Sequence, residues 1–205
     1  MSHIEDVPSK ATIVWYDFED ATEKENEFLR NHFDFNYLEI DDAINGIPRA
    51  KYKAYEDYQY IVFHSILTHD YAAIALNVFL QGNTLVTYHH KRFESLKKVV
   101  QDNQKHHVSD LDCADIVIHI LDSMVDKYFN FVYDIEDKVY TFEDRHVDDR
   151  YSKSVMDNVF QLRSDLIKIK RVLFPMQELV DTIKSEGKLI IDTKHSMYIQ
   201  HIDCL

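Results

Sequence analysis

The stretch "DIVIHILDSMVDKYFNFVYDIEDKVYTFED", residues 115–144, decides how this chain must fold. It lies in a run from Asp110 to about Val147 without Gly or Pro. Its apolar residues Val117, Leu121, Met124, Tyr128, Phe131, Ile135, Val139 and Phe142 recur in steps of three and four. Such steps return to one side of a helix turning every ~3.6 residues, so the spacing predicts one long amphipathic helix. From about Ser152 to Lys184, Val155, Val159, Leu162, Leu166, Ile169, Leu173, Met176, Val180 and Ile183 alternate steps of four and three throughout. The two runs predict a long antiparallel helical hairpin turning near "HVDDRYS", residues 146–152. Pro175 removes a backbone hydrogen bond and is expected to kink the second helix, and Gly187 to end it. "KLIIDTKHSMYIQHIDCL", residues 188–205, would begin a third helix.

Ahead of the hairpin the pattern is mixed. "ATIVWYDF" (11–18) has strand character, and "EDATEKENEFLRNHF" (19–33) follows as a polar helix with Asp20 as N-cap and Glu23 three residues on. "LEIDDAINGIPRAKYKAYEDY" (38–58) sets acidic residues in a short helical stretch, then a turn, then a basic and aromatic run. "YQYIVFHSIL" (58–67), "AAIALNVFLQ" (72–81) and "TLVTYHH" (84–90) read as strands, with Gly82-Asn83 a hairpin signal between the last two. "KRFESLKKVVQDN" (91–103) reads as a helix. The fold class expected is α+β: an α/β/α layered domain with a mainly antiparallel sheet over 1–108, the hairpin packed on it over 109–187, and a helix start over 188–205.

Asp and Glu outnumber Lys and Arg by 36 to 23, for a net charge of -13. That field repels nucleic acid and anionic headgroups and attracts cations. Hydrophobic content of 45% argues for a packed core rather than disorder. Cys113 and Cys204 show neither metal spacing nor a disulfide framework, which fits a reducing compartment. No stretch approaches the ~18 to 20 apolar residues that span a bilayer, and "MSHIEDVPSK" lacks the apolar core of a signal peptide. The last residues stay helix-compatible without a stop signal, so the chain is expected to continue into something longer.

Asp115, His119, Asp122 and Asp126 fall on one stripe of the first long helix, and like charges at such spacing destabilise a bare helix by a few tenths of a kcal/mol per pair. A hard divalent cation would offset the repulsion, because carboxylate oxygens suit magnesium or calcium. A solvated polar face, or pairing with lysines and arginines, is the simpler reading of the stripe taken alone, since charge runs are usually solvated faces, and the same holds for Asp41 and Asp42. Among 12 histidines, the pairs His89-His90 and His106-His107 invite zinc, but adjacent residues diverge and no third ligand stands at a characteristic spacing. There is no phosphate-cradling glycine loop, nucleophile elbow or HExxH motif, so nothing points to an enzyme.

Several segments together resemble the cytoplasmic domain of the CorA family of divalent-cation transporters. "IDDAINGIPRAKYKAYEDYQYIVF" (40–63) is similar to that family's acidic helix, Gln-Arg-Pro-Lys element and aromatic strand. Asp41 and Asp42 stand on its Glu-Asp pair, and Arg49 and Lys51 on its basic positions, while Ala50 replaces the proline and Pro48 the glutamine. Residues 115–144 resemble the family's first long helix, with Asp122 and Asp126 on its recurring aspartates. "LRSDLIKIKRVLFPMQELV" (162–180) resembles the returning helix, Pro175 included.

The resemblance implies a homopentamer on the cytoplasmic face of the plasma membrane, in which residues 188–205 start a stalk helix leading to two membrane-spanning helices. It implies transport of magnesium, with cobalt and nickel also passing, and regulatory Mg2+ between neighbouring copies, for which Co2+ or Ca2+ would substitute. On this expectation Asp42 is the principal ligand, with Asp41 and Asp122 at an adjacent site. Asp126 and Asp115 are weaker candidates. Ser196 falls at the stalk position where the family has an aspartate, with Asp192 and Asp203 as off-register alternatives. The rival readings are a zinc-transporting branch of the family and a helical interaction module whose acidic stripe binds a basic partner.

Overall fold

The computed structural model describes residues 2–3, 13–46, 49–67, 70–106, 112–145 and 153–186. Strands β1 (Ser2–His3), β2 (Val14–Glu19), β3 (Lys51–Ala54), β4 (Gln59–Ile66), β5 (Ala73–Gln81) and β6 (Thr84–His89) form one sheet in the order β1-β2-β6-β5-β4-β3. Four of its pairings are antiparallel, and β2 with β6 is parallel. The sheet is therefore mixed, though mainly antiparallel as expected.

Two-sided burial explains the layers. Adjacent β4 residues point to opposite faces, yet every residue from Tyr60 to Ile66 is buried. Ile61 and Phe63 join Trp15, Leu76 and Val78 in a core closed by α3 (Glu94–His106), α4 (Cys113–Arg145) and α5 (Lys153–Glu186). Tyr60 and Val62 join Phe18, Phe79 and Tyr88 under α1 (Glu23–His32) and α2 (Tyr37–Asn45). The α+β class with helices on both faces is what the sequence predicts.

The two long helices stand as expected, and Pro175 lies inside α5 without ending it. The expected turn at 146–152, the Gly187 stop and the third helix of 188–205 lie outside the described residues. The helix expected over 19–33 begins later. Asp20 is not its N-cap: its φ of 49° is left-handed, and its N–H bonds to the His89 carbonyl at 2.9 Å, ending β2. Thr22 is the cap, and the Glu25 carboxylate accepts from both the Thr22 N–H and its hydroxyl, each at 2.7 Å.

The long helices also complete the sheet. β3 runs out at Lys51, opposite Val62, which leaves the far end of β4 paired with β5 on one side and open on the other. There the His64 N–H donates to Met176 Sδ on α5 at 3.1 Å, and its carbonyl accepts from the Tyr128 hydroxyl on α4. Unpaired buried backbone groups are costly, so these side chains stand in for a missing strand.

At the β5–β6 turn, Gly82 has φ +55°, and a Cβ there would meet nothing within 4 Å. Gly82→Ala should therefore lower stability through backbone strain alone, by about 1 kcal/mol, measured as a shift in urea midpoint without a change in slope.

Candidate functional site

The acidic pair lies at the end of α2. Asn36 caps that helix, its side chain accepting from the Leu38 N–H at 2.9 Å, and Gly46 closes it by donating its N–H to the Asp42 carbonyl at 3.0 Å. A Cβ on Gly46 would sit 2.9 Å from that carbonyl oxygen, so only glycine fits there without moving the turn that carries Asp42. Asp41 and Asp42 thus stand near the negative end of the helix dipole, where carboxylates are disfavoured and cations welcome. No basic residue lies in that last turn.

Cations come instead from β3. Alternation puts Lys51 and Lys53 on the α2 side of the strand and Tyr52 in the opposite core. Lys51 Nζ lies 2.8 Å from Asp42 Oδ2 and 2.9 Å from Glu39 Oε2. Lys53 Nζ and the Tyr55 hydroxyl both donate to Glu39 Oε1. Glu39 is only 1% exposed while Asp42 is 48% exposed, so one carboxylate is internal and the other reachable from solvent. Asp41 is half-buried and accepts from the Asn45 amide at 2.7 Å.

Sequence reasoning missed Glu39, Lys53 and Tyr55. Glu39 precedes Asp42 by three residues and so shares its helix face, and Lys51 and Lys53 share a strand face. That pattern was readable; the burial of Glu39 was not. Burial alone would raise the Glu39 carboxyl, but the bonds from Lys53, Lys51 and Tyr55 outweigh it and hold the pKa below its ordinary 4.5.

The aspartates of α4 lie across the sheet. α2 packs on the face of Tyr60 and Val62, α4 on the face of Ile61 and Phe63, so Asp41 and Asp42 do not meet Asp122 within one chain. Asp115 is buried and serves the start of α4: its carboxylate accepts from the Asp112 N–H at 2.7 Å, and its own N–H donates to Asp112 Oδ1 at 2.8 Å. Asp126 pairs with Lys98 of α3 at 3.0 Å. It borders a crevice of about 530 Å³ that Lys98 and Lys127 also line, a balance that disfavours a second cation. Asp122 and His119 are half-buried on the same helix. Ser196, Asp192 and Asp203 lie outside the described residues.

The donors near Asp42 are oxygens, which suits Mg2+ and its retained water better than zinc. His89 is buried with both ring nitrogens occupied, Nε2 lying 3.1 Å from Asp17 Oδ1 and Nδ1 2.8 Å from the Lys91 carbonyl, so His89-His90 does not form a zinc pair. The side chain of His106 and the whole of His107 lie outside the described residues. Burial pushes the Cys113 thiol up to about 12, leaving no thiolate to ligate a soft metal. Among the described residues no group of three or more His, Cys, Asp or Glu converges on one point.

Because its folded pKa is depressed, Glu39 contributes stability that is present above pH 4.5 and lost as the pH falls through the lower folded value. Glu39→Gln should flatten that acid limb of a stability-against-pH curve measured by urea unfolding, with little change in its shape above pH 6.

Comparison with known proteins places this geometry. The chain is 30% identical over 176 residues to the putative metal ion transporter YfjQ of Bacillus subtilis, an alignment covering 84% of the chain and 55% of that protein. It spans about half the length of the curated relatives it matches. The soluble domain of CorA from Methanocaldococcus jannaschii superposes with a TM-score of 0.74 at 18% identity, over 94% of this chain and 77% of that one. The cytoplasmic domain of ZntB from Vibrio parahaemolyticus gives 0.73 at 17%, over 97% and 80%. Among the described residues no helix is long and apolar enough to cross a membrane. The family model for CorA-like Mg2+ transporter proteins matches residues 10–204, and the chain belongs to that family.

Proposed function

We propose that this chain is the cytoplasmic regulatory part of a divalent-cation transporter, and that it senses Mg2+ through Asp42 and Asp41 of one copy and Asp122 of a neighbouring copy. The observation that carries the reading is the placement of a reachable acidic pair at the cation-favouring end of α2, in a chain of this family. Because Asp122 lies across the sheet, a second copy is needed to bring it to that pair. Bound Mg2+ would join the copies and hold transport shut; its loss would leave carboxylates facing one another and favour opening. Such a switch draws its energy from the difference in cation affinity between two assemblies. In the full protein the assembly is a homopentamer anchored by membrane helices beyond this chain, and the transported ions are Mg2+ with Co2+ or Ni2+. Catalysis has no part in it.

The fold resembles CorA and ZntB domains about equally. Oxygen donors at Asp41 and Asp42 favour magnesium over zinc at the regulatory site. Co2+ or Ca2+ should substitute there.

Thermal unfolding with and without MgCl2 tests the site. At a hundredfold excess over its dissociation constant, a ligand bound only by the folded state adds about 2.7 kcal/mol, so the midpoint should rise by several degrees. Asp42→Ala combined with Asp122→Ala should abolish most of that rise. An undiminished rise in the double variant would show that the cation binds elsewhere.

A further inference from the structure

Lys51 is shared between two carboxylates of unlike exposure. Its ammonium lies 2.8 Å from Asp42 Oδ2 and 2.9 Å from Glu39 Oε2, and 5.1 Å from the centre of the Tyr60 ring. The lysine side chain is 25% exposed, against 48% for Asp42 and 1% for Glu39. A hydrated divalent cation can therefore reach Asp42 and not Glu39. To coordinate the Asp42 oxygen that Lys51 holds, it must first displace the ammonium, because two cations cannot share that oxygen without strong repulsion.

We propose that Lys51 is a tethered competitor for the cation at Asp42, with buried Glu39 as the partner that keeps its charge when it is displaced. The inference rests on the reading of Asp42 as a cation ligand. Without Glu39, displacement would strand an ammonium in a partly buried place, at considerable cost. With Glu39 already at 2.9 Å, Lys51 gives up its hydrogen bond to Asp42 and keeps its ion pair with Glu39. The Lys51–Glu39 pair thus sets the Mg2+ concentration at which Asp42 fills, and the site responds over a higher range than two bare aspartates would.

Lys53 provides the comparison, since its contact runs to Glu39 Oε1 and not to Asp42. Burial would lower the Lys51 pKa, but its bonds to Asp42 and Glu39 prevail and raise it, so Lys51 is charged throughout the physiological range.

The experiment is a titration with MgCl2 at constant ionic strength, which holds general screening fixed. It reads the Mg2+ concentration giving half of the rise in thermal midpoint. Lys51→Met keeps the stem and removes the charge, and should lower that concentration about fivefold, the scale of a modest ion pair. Lys53→Met removes the same charge from the same cluster and should move it less than twofold. Glu39→Gln with Lys51→Met leaves net charge unchanged and no buried carboxylate short of a partner, so it folds where the single variant fails; it too should lower the half-point about fivefold. A half-point in the paired variant equal to or above that of the unsubstituted chain overturns the competitor role while leaving Asp42 as ligand. Equal shifts for Lys51→Met and Lys53→Met overturn it as well, since both would then act through the general field. No Mg2+-dependent rise in the unsubstituted chain, or one untouched by Asp42→Ala, overturns the site itself and this inference with it.

Discussion

The burial of β4 on both faces is the constraint from which the rest follows. A strand whose neighbouring residues Tyr60, Ile61, Val62 and Phe63 are all excluded from water needs an apolar layer on each side. One layer comes from two short helices between β2 and β3, the other from three longer ones after β6. Chain order assigns the layers, and with them the placement of every charged group above. Asp41 and Asp42 arrive with the short helices, Asp115, Asp122 and Asp126 with the long ones.

Burial also creates a difficulty that the long helices resolve. A four-residue β3 leaves one side of β4 beyond Val62 without a strand partner, deep in the protein. On that side Met176 accepts from the His64 N–H and Tyr128 donates to its carbonyl. The helical hairpin is thereby joined to the sheet at β4 by polar bonds as well as by apolar contact. β3, which carries Lys51, lies beside this junction.

The acidic residues divide by what already neutralises them. Asp115 accepts from the Asp112 N–H at a helix start, and Asp126 pairs with Lys98. Glu39 takes two ammonium groups and a phenol. Asp42 shares one lysine with Glu39 and stays half exposed at an unfavourable helix end. A net charge of -13 is therefore not spread evenly in its consequences.

Sequence alone determined the elements whose signal is periodic. The steps of three and four from Val117 to Phe142 and from Val155 to Ile183 reappear as α4 and α5, because helix geometry turns such spacing into one side, although Val159 and Leu166 of that stripe stay exposed on α5. Gly82-Asn83 marked its turn because few residues tolerate a positive φ. The acidic helix and its neighbouring basic run were legible as a candidate site. Tertiary structure decided what depends on residues distant in the chain. The parallel pairing of β2 with β6 joins strands far apart in the chain, which no local pattern encodes. Asp20 does not cap α1 because its backbone is left-handed where β2 ends against His89, whereas Thr22 has the extended conformation a cap needs. The separation of Asp41 and Asp42 from Asp122, and the burial of Glu39 against Lys51 and Lys53, arise only when both faces of the sheet are covered. Local pattern fixes which way a side chain leaves its own element; packing alone decides what it meets.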